Sequence, residues 1–139
     1  MRVQLINHQR RDPVPLRWLG QVARRAAHRL GVQEQGTLMV SLIGSRAMRA
    51  ANRKFLRHQG LTDVLSFRYP NEAVAGEILI APAAARQYAK RHGIPYRQEL
   101  ARYVLHGLLH WLGHEDRTSR QQRRMRALED KLLAQCARD

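Results

Sequence analysis

The sequence predicts an α+β fold, a single domain over residues 1–139 in which a small mixed β-sheet packs against about five helices. Three observations predict it. Strand-like and helix-periodic segments alternate through the first half. Two strand-like runs then lie close enough for a hairpin, and three helical patterns follow with no strand among them. At 139 residues and 44% hydrophobic content, the chain can bury one sizeable core without cross-links.

The elements follow in order. "RVQLIN" is short and β-favouring, and "RRDPVP" breaks its pattern. Leu16, Leu19, Ala23, Ala26 and Leu30 recur at helical spacing as far as Gly31. "TLMVSLIG", bounded by Gly36 and Gly44, is a mostly apolar run with the length of a buried strand. Ser45 is placed to cap a helix over "SRAMRAANRKFL", with Met48 and Phe55 on or near one face. "DVLSFRY" and "EILIAP" are two more strands, and the turn-prone "PNEAVAG" between them makes a hairpin. "AAARQYAKRHG" is helical and stops at Gly93; after Ile94-Pro95 the segment "RQELARYVLHGLLHWLG" begins the next helix. A last helix runs from near Thr118 to Cys136, with Met125, Leu128, Leu132 and Cys136 as its buried stripe. No internal repeat, low-complexity tract or linker interrupts the order.

Charge narrows the class of partner. Twenty-five Lys and Arg against eleven Asp and Glu give a formal charge of +14, and nearly all the cations are Arg, whose planar fork suits phosphate. A polyanion such as RNA is the natural partner, although a solvated Arg-rich surface would give the same count. The single cysteine, Cys136, excludes an internal disulfide and a Cys-cluster zinc site, and fits a reducing compartment. "MRVQLINHQRRDPVP" has no apolar core of signal-peptide length, and no apolar run approaches the roughly 20 residues that span a bilayer. The expectation is a soluble, cytoplasmic protein with no membrane partner.

The chemistry concentrates in "LHGLLHWLGHED", Leu105 to Asp116. Residues four apart on a helix stand one above the other, so His106 and His110 can offer two imidazoles to one ion. Gly113 is placed to end the helix and reverse the chain, after which a residue a few positions on can return as third ligand and leave a coordination position open. A pair at this spacing is a weak signal by itself. Leu105, Leu108, Leu109 and Leu112, however, make the helix apolar over much of its circumference, and imidazoles in such a helix need partners.

The stretch "HGLLHWLGHED" resembles the motif His-Gly-x-Leu-His-Leu-x-Gly-Tyr-Asp-His of the YbeY family of metal-dependent endoribonucleases, whose first, fifth and eleventh positions bind zinc. "TDVLSF" at Thr62 to Phe67 resembles the family's second signature, "GEILI" at Gly76 to Ile80 resembles its Gly-Asp-Ile strand, and Asn52 lies at the matching distance upstream. The resemblance implies one divalent ion, Zn2+ by ligand type, held by His106, His110 and Asp116. It also implies hydrolysis of single-stranded RNA in ribosomal RNA maturation and ribosome quality control, with ribosomal RNA or the small ribosomal subunit as partner.

The departures have chemical content. Asp116 stands where the family usually has His, Glu115 for Asp and His114 for Tyr. A carboxylate is a competent zinc ligand and keeps a three-ligand open site, with one negative charge added. His114 is the rival third ligand but has less chain after Gly113 in which to turn back. The family's substrate-contacting Arg falls at Leu56 here; its neighbour Arg57 is the candidate for that catalytic role. Zinc proteases place Glu directly after the first His, where this chain has Gly107, which disfavours a peptidase. The alternative to a nuclease is a non-catalytic, ribosome-associated RNA-binding assembly factor with a structural metal. Ser66 is placed by the resemblance beside the cleft, while Trp111 reads as core.

Overall fold

The computed structural model describes residues 1–55 and 63–138. Strand β1 (Arg2–Asn7) leads through helix α1 (Leu16–Arg29) to β2 (Thr37–Leu42). Helix α2 (Ser45–Phe55) precedes the hairpin of β3 (Val64–Arg68) and β4 (Val74–Ile80), and α3 (Pro82–His92), α4 (Tyr96–Trp111) and α5 (Ser119–Cys136) complete the order. The sheet runs β1-β2-β4-β3, with β1, β2 and β4 parallel and β3 antiparallel to β4. This is the expected α+β arrangement, with a four-stranded mixed sheet and five helices among the described residues. Among the described residues, no helix is long and apolar enough to cross a membrane.

Strand alternation divides the molecule. Leu38, Val40 and Leu42 of β2 and Ile78 and Ile80 of β4 are buried in the main core with Leu19, Val22 and Ala26 of α1 and Leu100, Leu105, Leu108 and Leu109 of α4. Ile43, Met48, Leu65 and Ala81 form a smaller cluster, which α2 joins through Met48. Phe55 is the last residue of α2. It is 50% exposed, because α2 brings its last residue to the edge strand, where its ring meets Phe67 edge-on at 4.8 Å between centroids. Helix α2 also begins at Ser45 itself, with the Gly44 carbonyl accepting the Met48 N–H.

Helix α4 lies across the sheet at close range because two glycines allow it. A Cβ on Gly107 would stand 2.4 Å from Ile78 Cγ2 and 3.1 Å from Val64 Cγ1. The Ser66 hydroxyl donates to the Gly107 carbonyl at 2.7 Å, so this serine ties strand to helix. One turn on, a Cβ at Gly76 would fall 2.1 Å from Trp111 Nε1, and Trp111 is buried with its indole N–H donating to the Ala75 carbonyl at 3.3 Å. Arg68 stacks its guanidinium on that ring and donates to the Trp111 carbonyl at 2.6 Å, placing a cation on the last turn of the helix.

Gly107→Ala should therefore lose about 1–3 kcal/mol of unfolding free energy through overpacking. In a double-mutant cycle with Ile78→Ala, the two changes together should cost less than their sum. Additive losses in denaturant unfolding would show that the contact does not limit the packing.

Candidate metal centre

The C-terminal end of α4 is built to turn back on itself. Gly113 adopts φ +102, its N–H donates to the His110 carbonyl at 2.9 Å, and the His114 N–H donates to the Leu109 carbonyl at 3.0 Å. These two crossed bonds close the helix in a Schellman motif. Four residues later the chain is pinned again. Thr118 Oγ1 accepts from the Gln121 N–H, and Gln121 Oε1 accepts from the N–H of Thr118 and of Arg117, a capping box that starts α5. Asp116 sits in the short link between these two anchors.

The link returns Asp116 to the histidine pair. Asp116 Oδ2 lies 3.3 Å from His110 Nε2 and 3.5 Å from His106 Nε2, and one ligand atom from each residue falls within 4.8 Å of the others. The imidazoles meet edge to face, with ring centroids 4.5 Å apart. Their side chains are 26% and 28% exposed and that of Asp116 is 38%, so the cluster opens to solvent on one side. His114 is not brought to it; it lines a separate shallow cavity with Glu115, Gln121 and Arg124. Arg57, and Thr62 of "TDVLSF", lie outside the described residues.

Behind the pair lies a polar chain that the sequence reading did not anticipate. Glu129 of α5 is 4% exposed, and its Oε2 is 2.6 Å from His106 Nδ1. Its Oε1 accepts from Arg102 Nη1 at 2.9 Å, and Arg102 Nη2 donates to Asp130 at 2.6 Å. Burial opposes the charge on Arg102, but the bonds to Asp130 and Glu129 outweigh it and hold its pKa above the usual value. Glu99, 2% exposed, lies 3.5 Å from Arg102 Nε, close enough to attract; among the described residues its Oε1 finds no hydrogen-bond partner. Burial raises the Glu99 pKa, partly countered by Arg102.

This arrangement fits a divalent ion. With an Nδ1–H donated to Glu129, the Nε2 of His106 is the ring atom left to bind an ion, and it is this atom that faces the Asp116 oxygen. Tetrahedral bonds of zinc-like length place neighbouring ligand atoms about 3.3 Å apart, close to the two separations that Asp116 makes. His106 and Asp116 line a cavity of about 320 Å³ with Asp63, Tyr88, Tyr103 and Arg126. Burial raises the pKa of both Asp63 and Tyr103.

Glu129 did carry a signal in the sequence. It falls between Met125 and Leu132 at helical spacing, so a carboxylate stands in the apolar stripe of α5 and requires a buried cationic or N–H partner. Leu128, read as part of that stripe, is only partly buried at its margin.

Comparison with known proteins supplies an independent line. The family model described as Endoribonuclease YbeY matches residues 4–137. Proteins named Endoribonuclease YbeY include one from Chlorobium phaeovibrioides, 35% identical over 96% of this chain and 89% of its own length. Another, from Geobacter metallireducens, is 32% identical over 96% of this chain and 95% of its own length. One from Myxococcus xanthus is 39% identical over 70% of this chain, a match that spans only 36% of that longer relative. The solution structure of a Thermotoga maritima protein aligns with a TM-score of 0.60 at 20% identity, covering 96% of this chain and 89% of that one, which shows a shared fold.

Glu99→Gln tests the electrostatics of the chain behind the pair. Because burial raises the Glu99 pKa in the folded state, its ionised form weakens folding as pH rises through that value. The amide variant should equal or exceed the wild type in unfolding free energy at neutral pH, with the gain disappearing below the ordinary carboxylate range. A loss at neutral pH that vanishes in acid would reverse the sign and show that ionised Glu99 stabilises the fold.

Proposed function

The chain belongs to the endoribonuclease YbeY family, a metal-dependent family of RNA-cleaving hydrolases, and from that premise we propose that it cuts single-stranded RNA with one divalent ion, Zn2+ by ligand type, held by His106, His110 and Asp116. The observation that carries this reading is the convergence of two Nε2 atoms and one carboxylate oxygen at the mouth of a cavity. Two nitrogens and one oxygen suit zinc and leave a fourth position open. The charge of +14 supports a polyanionic substrate, and we assign ribosomal RNA or the small ribosomal subunit as the partner and the cytoplasm as the place of action.

The ion supplies Lewis acidity, acidifying water and offsetting charge that builds on phosphoryl oxygens. The protein's own groups prepare for it. Glu129 takes the Nδ1 hydrogen bond of His106 and so fixes both tautomer and ring orientation. Arg102 holds Glu129 in place. Asp116 brings one negative charge into the ligand set. Gly107 offers no carboxylate next to the first histidine, which leaves the peptidase arrangement without its base. Arg57 is the proposed phosphate contact.

Metal analysis of purified protein beside a cleavage assay on unstructured RNA tests the ligand set. Wild type and His114→Ala should hold about one ion per chain, whereas Asp116→Ala should lose most of its metal and its cleavage. An emptied His114→Ala with a filled Asp116→Ala would make His114 the third ligand. Metal-loaded wild type that binds RNA without cutting it would sink the nuclease reading.

Glu129→Gln should weaken metal affinity about 10- to 100-fold, as expected when a carboxylate orienting a ligand histidine is neutralised. Competition against a chelating dye measures this directly. Unchanged affinity would mean that Glu129 serves packing alone.

A further inference from the structure

Beside the metal-site cavity lies a second hollow of about 470 Å³ that the ligand set does not use. Its cations come from three parts of the chain: Arg11 before α1, Arg49 on α2, and Arg86 and Lys90 on α3. All four cations are exposed. Two carboxylates share the lining. Asp12 is buried and committed to Arg86, whose Nη1 donates to it at 2.9 Å. The other, Asp63, lines both this hollow and the metal-site cavity, so the two are joined at that residue.

The loop that presents Arg11 is built rather than loose. Gln9 brackets Asp12 by accepting from its N–H and donating to its carbonyl, both at 2.9 Å, and the Tyr96 hydroxyl donates to the Pro13 carbonyl. Asp12 in turn steadies Arg86 and leaves the far edge of its guanidinium facing out, a geometry suited to phosphate. The metal-site cavity has the opposite character. Asp63, Glu99, Asp116 and Glu129 line it, against Arg102 and Arg126. A phosphodiester chain is disfavoured along that acidic wall and favoured beside the four cations.

We propose that this basic groove, formed by Arg11, Arg49, Arg86 and Lys90, holds the sugar-phosphate backbone of single-stranded RNA on one side of the bond that is cut. The proposal rests on the nuclease reading for its substrate class, and it adds the path that the strand takes. Phosphate contacts carry no base code, so the groove contributes affinity and register and leaves sequence preference to other parts of the site.

Fluorescence anisotropy of a labelled, unstructured RNA oligonucleotide tests it, with the full chain in chelator across a series of salt concentrations. Each phosphate contact in a single strand contributes about 0.7 to the slope of log affinity against log salt. Arg49→Gln with Lys90→Gln should therefore weaken binding and flatten the slope by about 1.4. Arg120→Gln with Arg123→Gln, exposed positions on α5 that line neither cavity, removes the same charge elsewhere and should leave the slope unchanged. Unfolding midpoints of both pairs should match the wild type. Equal flattening in both pairs, no flattening in the groove pair, or no RNA binding by the wild type would overturn the groove. Salt-dependent binding through the groove without metal-stimulated cleavage would overturn the nuclease reading and leave the groove standing.

Discussion

Helix α4 must be dry around most of its circumference and wet along one narrow stripe, and the rest of the molecule follows from meeting that demand. Leu100, Leu105, Leu108 and Leu109 are at most 1% exposed, packed against α1 and the sheet. Burying each such side chain is worth on the order of 1.5–3 kcal/mol. The helix can approach the sheet this closely only where side chains vanish, at Gly107 and Gly76. The open stripe carries His106 and His110, so the packing that buries the leucines also holds the two imidazoles side by side.

A second demand arises because the wet stripe borders a dry interior. The rear nitrogen of His106 faces inward, where a lone imidazole N–H would lack a partner. Glu129 supplies one, and its buried charge is compensated by Arg102, which also engages Asp130 and attracts Glu99. Removing one partner from such a network is costly, about 3–5 kcal/mol in comparable buried pairs. Glu99 is the imperfect member, with one oxygen unsatisfied and its charge disfavoured by burial.

Local pattern was enough to read the fold because each element declares itself in a few residues. The apolar run of β2, the leucines of α4 and the glycines at positions 31, 93 and 113 are all short-range signals, and all three glycines have positive φ. The histidine pair was legible for the same reason. Asp116 was legible only as far as chain length and family resemblance allowed, since its position depends on a cap at each end of its link. Arg102, Glu129 and the basic groove were not read, because their members come from elements far apart in sequence: Arg102 and Glu129 are 27 residues apart, and Asp12 and Arg86 are 74.

The two capped ends of the link have a consequence for the order in which the protein becomes competent during synthesis. Asp116 is anchored to the start of α5 and Glu129 lies within α5, so the carboxylate that faces the histidine pair and the carboxylate bonded to His106 both arrive with the same helix. A nascent chain that has made α4 but not α5 carries two imidazoles on a helix face, with neither the Asp116 oxygen nor the Glu129 carboxylate held beside them. The ribosome thus releases the histidines first and their carboxylate partners last, so this chain cannot bring His106, His110, Asp116 and Glu129 together until α5 has been made and has docked.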